Sequence, residues 1–334
     1  MTARMTVTTP SLPDTLTMIF DGSGNAQPLD ADAFAAWSPS GTDGQFAWQH
    51  LRLEGEGTVA LLRTAGLDEF VIDALMAGET RPRCTVHGDG VILNLRGVNL
   101  FEGQPPEDMI SVRLWLTETK IIGVWRRPLD AVADMLAAID RGQAPKSPGD
   151  FVARLALRLA DRAEPAITDL NERVDDLEEL LLEPNAEISR AELAAIRRSS
   201  IVLRRYLVPQ RDALTTLEIE DLPWLQPHDR SRLREASERI YRIGEDLAAV
   251  RERVQIIHEQ LMDERAERMN SRMLVLSVVS AVFLPLGLVA GVLGINVGGI
   301  PGADDPNAFW IVCVLLVALG GVLLLVARWL GMFR

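Results

Sequence analysis

MLVLSVVSAVFLPLGLVAGVLG, at residues 273–294, is the first of two long uncharged stretches near the end of the chain. The second is FWIVCVLLVALGGVLLLVA, at residues 309–327. A bilayer core of about 30 Å needs about 20 helical residues, so each stretch is long enough to span a membrane. A buried hairpin in a soluble protein is the alternative, but two uncharged runs of this length seldom occur together in a soluble core.

The charges that flank the two stretches predict their orientation. The flanking basic residues are Arg265, Arg268, Arg272, Arg328 and Arg334. The loop between the stretches carries Asp304 and Asp305 and no lysine or arginine. The positive-inside rule then places both termini in the cytoplasm and the loop outside, as in a two-span protein of the cell inner membrane. The N-terminus also lacks an apolar core of signal-peptide length, which favours a cytoplasmic soluble part.

Composition excludes several classes of function. The chain has 334 residues, with 34 Lys plus Arg against 47 Asp plus Glu, and its net charge of -13 argues against a nucleic-acid partner. Its two cysteines, Cys84 and Cys313, form no CxxC or Cys/His motif. The sequence has no Walker loop, GxSxG, HExxH or GxGxxG, so we expect no enzyme, no nucleotide and no catalytic cofactor.

The soluble part is expected to be an α+β cytoplasmic domain, with a mixed sheet covered by helices. TVHGDGVILNLRGVNL alternates about a Gly-Asp-Gly turn at Gly88–Gly90, and MISVRLWLTETKIIGVWR predicts a second strand pair. LDEFVIDALMAG and PLDAVADMLAAIDRG have helical periodicity. The predicted segments are a cytoplasmic domain at 1–150, a charged helical hairpin at 151–228, a stalk helix at 229–272, spans at 273–294 and 309–327, an external loop at 295–308 and a cytoplasmic tail at 328–334.

The charged hairpin is expected to contain two helices joined at Pro184-Asn185. Its acids recur at helical spacing: Asp169, Glu172, Asp175, Asp176, Glu179 and Glu183. A solvated face is the ordinary interpretation, and a weak divalent-cation surface is the alternative.

The stalk carries a heptad seam: Leu233, Ala236, Ile240, Ile243, Leu247, Val250, Val254, Ile257 and Leu261. This pattern predicts packing against another helix or against copies of itself. A helix continuing from Asp229 to Gly294 would be about 100 Å long at 1.5 Å per residue. Such a helix would couple the cytoplasmic domain to the first span.

The same 3/4 spacing continues into the first span. It passes through Met273, Ser277, Ser280, Leu284, Gly287, Gly291 and Gly294. One face is therefore small or hydroxylated, which suits either close packing of membrane helices or a water-filled path between several copies. Two helices per chain cannot enclose a path, so transport would require a symmetric oligomer.

A longer motif joins this face to the loop. Its residues are Asn270, Met273, the Phe-Leu-Pro-Leu at 283–286, Gly291, Gly294, Ile295 and Asn296. The motif ends the first of two C-terminal spans, and a charged helix precedes it. In this order and position, the residues resemble the CorA-type superfamily of two-span Gly-x-Asn metal-ion transporters. The magnesium and cobalt branch typically has Tyr-Gly-Met-Asn-Phe, whereas this chain has Leu-Gly-Ile-Asn-Val followed by Gly-Gly-Ile-Pro-Gly. That ending resembles the ZntB branch, which is associated with zinc.

The resemblance implies a funnel-shaped homopentamer with a pore lined by the first span. It places Asn296 at the outer mouth and the following residues at successive levels towards the cytoplasm: Gly287, Leu284, Ser277, Leu276 and Asn270. Gly294, Ile295, Gly291 and Ser280 complete the predicted pore set. It also implies a transported Zn²⁺ ion, with Mg²⁺ and Co²⁺ as alternatives.

The chemistry of these residues suits a hydrated cation. A ring of Asn296 carboxamides could hold a divalent ion through its water shell, and Leu284 and Leu276 would form apolar constrictions. Asp304 and Asp305 would form an external acidic collar, or simply a polar loop.

No tight zinc site with His or Cys ligands is visible in the spans. His258 and Glu259, just before the membrane, are a candidate cytoplasmic metal site, with a solvated helix face as the alternative.

We therefore expect a divalent-cation transporter, with zinc uptake favoured because an external acidic collar and a negative interior voltage both draw cations inward. Proton symport is an open addition, although no charged residue within the spans supports a conventional relay. The alternatives are a magnesium or cobalt channel, zinc efflux, or a membrane-anchored metal sensor without transport.

Overall fold

The strands of the N-terminal part form one mixed sheet in the computed structural model, which describes residues 13–41, 44–183, 188–295, 300, 302 and 305–329. The strands are β1 (Thr15–Phe20), β2 (Ala26–Pro28), β3 (Phe46–Arg52), β4 (Arg83–His87), β5 (Gly90–Gly97), β6 (Ile110–Leu116) and β7 (Lys120–Trp125). Their order is β2-β1-β3-β7-β6-β5-β4, with β3 and β7 parallel and the other neighbouring pairs antiparallel. The predicted α+β fold with a mixed sheet is confirmed.

Both strand pairs predicted from the sequence are present as hairpins. Strands β4 and β5 pair from His87 opposite Gly90, and Gly88 has the positive φ of 58° that such a tight turn requires. Strands β6 and β7 pair from Leu116 opposite Ile121. Alternation and turn residues therefore located these local elements correctly.

Helices cover both faces of the sheet. Helices α1 (Thr58–Thr64) and α2 (Glu69–Met76) pack over Ala47 and Leu51 of β3. On the opposite face, Phe151 lies 4.9 Å from the ring of Trp48. Successive strand side chains point to opposite faces, so β3 can be buried from Phe46 to Leu51 only because both faces are covered.

The remaining helices of this part are α3 (Asp130–Asp140), α4 (Pro148–Leu182) and α5 (Arg190–Ile219). Helix α4 begins three residues before the predicted segment boundary, because Ser147 is its N-cap and accepts a hydrogen bond from the Asp150 amide at 2.9 Å. The predicted junction at Pro184-Asn185 lies outside the described residues.

Helix α6 (Pro227–Leu293) carries the heptad seam. The seam residues from Leu233 to Ile257 are buried, and Leu261 is half-buried. Ser237 hydrogen-bonds Thr215 of α5 at 3.1 Å, and Arg253 pairs with Glu178 of α4. The seam therefore packs against other helices of the same chain, which was one of the two predicted alternatives.

Two buried aspartates fix the start of α6. The carboxylate of Asp229 accepts hydrogen bonds from the Ser147 hydroxyl at 3.3 Å and the Gln226 amide at 3.2 Å. Asp150 forms ion pairs with Arg154 of its own helix and with Arg232 of α6. Burial raises the pKa of Asp229. These contacts tie the first turn of α4 to the first turn of α6.

The chain divides into two compact units, Met1–Ile257 and His258–Arg334. The second unit contains the C-terminal part of α6 and helix α7 (Ala308–Trp329).

His50 gives the first unit a specific pH dependence. Its buried ring lies 5.3 Å from Trp48 and 6.0 Å from Trp125, and its Nδ1 has no hydrogen-bond partner among the described residues. Burial lowers the pKa of His50 from 6.5 to about 3.

Because the folded chain cannot protonate His50 until pH falls to about 3, the unfolded state binds the extra proton between pH 6.5 and 3. We therefore expect the free energy of unfolding to fall on acidification by up to about 1.4 kcal/mol per pH unit from this group. His50→Phe should flatten that slope in chemical denaturation of the full chain, followed by circular dichroism. Replacing the exposed His258 by Gln is the matched control, and equal slopes in both variants would contradict the prediction.

Candidate functional site

Helices α6 and α7 supply the two candidate membrane spans. Both contain a window that is long and apolar enough to cross a bilayer, and almost none of either window is buried within the chain. Leu284 is 78% exposed and Trp329 is 86% exposed. So much apolar surface requires lipid or other copies of the chain around it.

The α6 face that meets α7 is identified by burial. Val278 of α6 and Ala327 of α7 are buried, and a Cβ on Gly320 of α7 would contact Leu286 of α6 at 3.5 Å. The less exposed positions of α6 continue this face: Leu274, Val282, Pro285 and Val289.

The predicted pore residues lie on another face of α6. At 100° per residue, the row from Asn270 to Gly294 is centred about 150° from the row that contacts α7. Its described members are exposed: Asn270, Leu276, Ser277, Ser280, Leu284, Gly287, Gly291 and Gly294. We call this row the small-residue face. Packing against α7 therefore does not explain why the residues of this face are small. Packing against another copy of the chain is the alternative that the spacing leaves open.

A groove of about 590 Å³ lies on the small-residue face. It is lined by Ser280, Leu284 and Gly287 together with larger neighbours that the spacing pattern omitted, including Phe283. A Cβ added to Gly287 or Gly291 would meet no atom within 4 Å. The groove is therefore open because glycine and serine leave room between larger side chains.

The hydroxyl of Ser280 is partly used within the helix. It donates a hydrogen bond to the Leu276 carbonyl at 2.8 Å, so its oxygen can present only acceptor lone pairs to the groove. Pro285, about two turns before the helix end and on the side that meets α7, has no amide hydrogen to donate to the carbonyl four residues earlier. On the small-residue face, the Ser280 oxygen can thus offer an acceptor that suits a cation or its water shell.

The C-terminal end of α6 is closed by a glycine. The Gly294 amide donates to the Ala290 carbonyl at 2.9 Å, and a Cβ on Gly294 would lie only 3.1 Å from that oxygen. Ile295 follows with half of its surface exposed. Asn296, the predicted outer-mouth residue, lies outside the described residues.

Of the predicted external collar, only Asp305 is described. Its carboxylate accepts a hydrogen bond from the Asn307 amide at 2.9 Å, and its carbonyl accepts one from the Ala308 amide at 3.1 Å. Asp305 therefore organises the chain that enters α7, which leaves its second carboxylate oxygen for other partners. Asp304 lies outside the described part of the loop.

The cytoplasmic metal candidates are not brought into a cluster. His258 and Glu259 are both exposed on α6. Within the described ranges, no group of three or more His, Cys, Asp or Glu side chains is placed to hold a metal ion. These two residues remain a prediction.

Comparison with known proteins agrees with this architecture. The pattern of the CorA-like Mg2+ transporter protein family matches residues 43–328. The divalent cation transporter CmaX of Pseudomonas aeruginosa is 40% identical over 269 residues, 80% of either chain. The zinc transport protein ZntB of Pectobacterium carotovorum subsp. carotovorum is 36% identical over 305 residues, 90% of this chain and 91% of ZntB. The solved structure of full-length CmaX superposes with a TM-score of 0.82 at 34% identity, covering 96% of this chain and 99% of that chain.

The soluble α+β unit, the long helix and the two apolar C-terminal helices, taken with these relatives, define a membrane transporter of divalent cations. The chain belongs to the CorA-like Mg2+ transporter protein family. The predicted resemblance, with ZntB proteins among the relatives, is confirmed, as is the assignment to transporters instead of enzymes.

The groove makes Gly287 a sensitive position. Gly287→Leu should leave the chain folded, since a Cβ there meets no atom within 4 Å. If the groove faces the ion path, the side chain should lower divalent-cation flux in proteoliposomes by about tenfold, a barrier increase of about 1.4 kcal/mol.

The matched control is Gly321→Leu on α7, where an added Cβ also meets nothing within 4 Å. Equal flux in the wild type and in Gly287→Leu, or equal losses in the two variants, would show that the groove lies away from the path. Size-exclusion chromatography would confirm that both variants keep the same assembly.

Proposed function

We propose that the chain carries Zn²⁺ into the cytoplasm across the inner membrane, as a homopentamer with the small-residue face of α6 around a central path. The observation that supports this most is the position of that face. It is exposed, lies nearly opposite the α7 contact, and contains the open groove at Gly287. If this face served only to pack against α7 of the same chain, α7 would cover it.

A ring of copies is needed for any path. One chain contributes only α6 and α7 to the membrane, and two helices cannot surround a channel. A closed ring would place the small-residue face of every α6 towards the axis and leave the exposed apolar residues of α7 for lipid. Five copies are proposed from the resemblance to CorA-type proteins.

Passage of a hydrated ion suits the residues of this face. The glycines leave room for a water shell, and hydroxyl, carboxamide and backbone oxygens can bind that shell without stripping it from the ion. None of these groups would trap zinc tightly, because zinc prefers nitrogen and sulfur ligands. Zinc as the cargo is supported by the ZntB relatives and by the Gly-Ile-Asn sequence at 294–296.

The proposed transport direction and membrane orientation are based on the charges that flank the two spans. Basic residues flank the spans on one side, while the loop at 295–308 carries two aspartates and no basic residue. With the loop outside, the membrane potential favours cation entry, by about 2.3 kcal/mol per charge per 100 mV. A dependence of flux on the pH gradient would indicate proton symport.

Zinc flux is the direct test. Purified protein in proteoliposomes should pass Zn²⁺ faster than protein-free vesicles, with Co²⁺ and Mg²⁺ compared at equal concentration, with and without a pH gradient. Faster Mg²⁺ or Co²⁺ flux would favour the magnesium or cobalt channel. Flux favoured in the outward orientation would favour efflux, and absence of flux for all three ions would favour the sensor.

Asn296 should matter for flux and not for assembly. Asn296→Ala removes the carboxamide proposed to bind the hydrated ion at the outer mouth, so zinc flux should fall by about tenfold or more at low zinc concentration. Asn307→Ala removes an asparagine from the same loop and is the matched control. Unchanged flux in Asn296→Ala, in an oligomer of normal size, would show that this residue is not at the outer mouth.

A further inference from the structure

One face of α5 and the adjoining part of α6 form an arginine cluster. Its members are Arg197, Arg198, Arg204, Arg205 and Arg251, and we call it the basic face. On α5 they form two adjacent pairs seven residues apart, which places both pairs on one side of the helix. In the described part of the chain none of them is in ion-pair contact with a carboxylate, although many other arginines of this acidic protein are paired.

The contacts that these arginines do make are with neutral groups. Arg204 Nε donates to the Gly244 carbonyl at 3.3 Å, and Arg205 lies 5.1 Å from the ring centroid of Tyr206 and donates to its hydroxyl. Arginines gathered on one face repel each other unless an anion approaches. The basic face thus has unused capacity to bind negative charge.

The basic face borders a groove of about 320 Å³ between α5 and α6. Ile201, Val208 and Leu247 line it together with three of the arginines. Ile201 is 44% exposed. An apolar strip beside basic residues is typical of a protein interface with a charged rim.

Helix α4 carries the complementary charge on another face. Glu172, Asp176, Glu179 and Glu183 recur along one side and are exposed, and we call this row the acidic face. None of the four is ion-paired within the described ranges. The alternate acids of the same segment, Asp175 and Glu178, are instead bound by Arg253 of α6.

We propose that the acidic face of α4 in one copy docks on the basic face of α5 and α6 in the next copy. This inference rests on the proposed oligomer and names the surfaces that build its cytoplasmic part. A closed ring needs a head-to-tail interface between two different surfaces of the same chain, and oppositely charged surfaces meet that need.

The two faces also overlap in level along the hairpin. The acidic face covers residues 172–183, about 17 Å at 1.5 Å per residue, and the basic face covers residues 197–205 of α5, about 12 Å. Asp176 lies about 10 Å from the α4 end of the hairpin connection, and Arg198 lies about 12 Å from its α5 end. A ring rotation moves copies sideways and keeps their level along the axis, so with the hairpin along that axis Asp176 would face Arg198. Glu172, about 15 Å from the connection, would lie between the levels of Arg198 and Arg205, the second of which is about 23 Å from the connection.

Charge reversal tests the pairing. Arg198→Glu/Arg205→Glu and Glu172→Arg/Asp176→Arg should each place like charges in the interface. Each should raise the concentration for half-assembly of the full chain in detergent at least about tenfold, measured by light scattering after dilution. The combined four-residue variant should regain most of the lost assembly, and added salt should weaken the wild-type oligomer.

Arg81→Glu/Arg83→Glu makes the same charge change at exposed sites of the sheet domain and should leave assembly unchanged. No shift in either reversed variant would overturn the proposal, as would shifts that the combined variant does not restore. A shift only in the arginine variant would indicate that another anion occupies the basic face, and would also overturn it.

Cross-linking gives an independent check. In a chain with Cys84→Ser and Cys313→Ser, Arg198→Cys with Asp176→Cys should yield disulfide-linked multimers under mild oxidation, whereas Arg81→Cys with Asp176→Cys should not. Equal cross-linking in both would count against the docking. Zinc flux of the wild type is measured separately, so a non-conducting but correctly cross-linked oligomer would reject the proposed function and leave this interface standing.

Discussion

The change of surroundings along α6 is the constraint on which the rest of the structure depends. Up to Ile257 the helix buries one apolar seam against α4 and α5 and keeps its charged residues at the sides, where Arg253 pairs with Asp175 and Glu178. From residue 273 to its end at Leu293 it carries no charge at all. The N-terminal part of this one helix therefore suits contact with protein and water, where α4 and α5 pack against it. Its uncharged C-terminal part suits contact with lipid, where α7 packs against it.

Glycine within the membrane part of α6 has a cost that packing in one chain does not offset. Glycine is about 1 kcal/mol less favourable than alanine in a helix interior, yet Gly287 and Gly291 lie where a Cβ would meet nothing within 4 Å. In the proposed ring, other copies or a hydrated ion would lie beside them. Gly320 on α7 differs, since it faces Leu286 across the helix pair.

Local features were predictable from the sequence, and contacts distant in sequence were not. Alternation and turn residues predicted the hairpin at Gly88, and the absence of charge predicted both spans. Nothing in a periodic pattern reveals that β3 pairs with β7, or that Asp229 reaches Ser147. The family resemblance, not the spacing, added Leu276 beside Ser277, and the role of both residues in a pore stays a prediction.

Cysteine accessibility along α6 tests most directly whether the small-residue face borders water. In a chain with Cys84→Ser and Cys313→Ser, single cysteines are placed on that face by Ser277→Cys and Gly291→Cys, and on the α7 side by Val278→Cys and Val289→Cys. A charged, membrane-impermeant thiol reagent should modify the first pair faster, and Zn²⁺ should slow that reaction. Equal rates at all four positions, or faster modification on the α7 side, would contradict a path along this face.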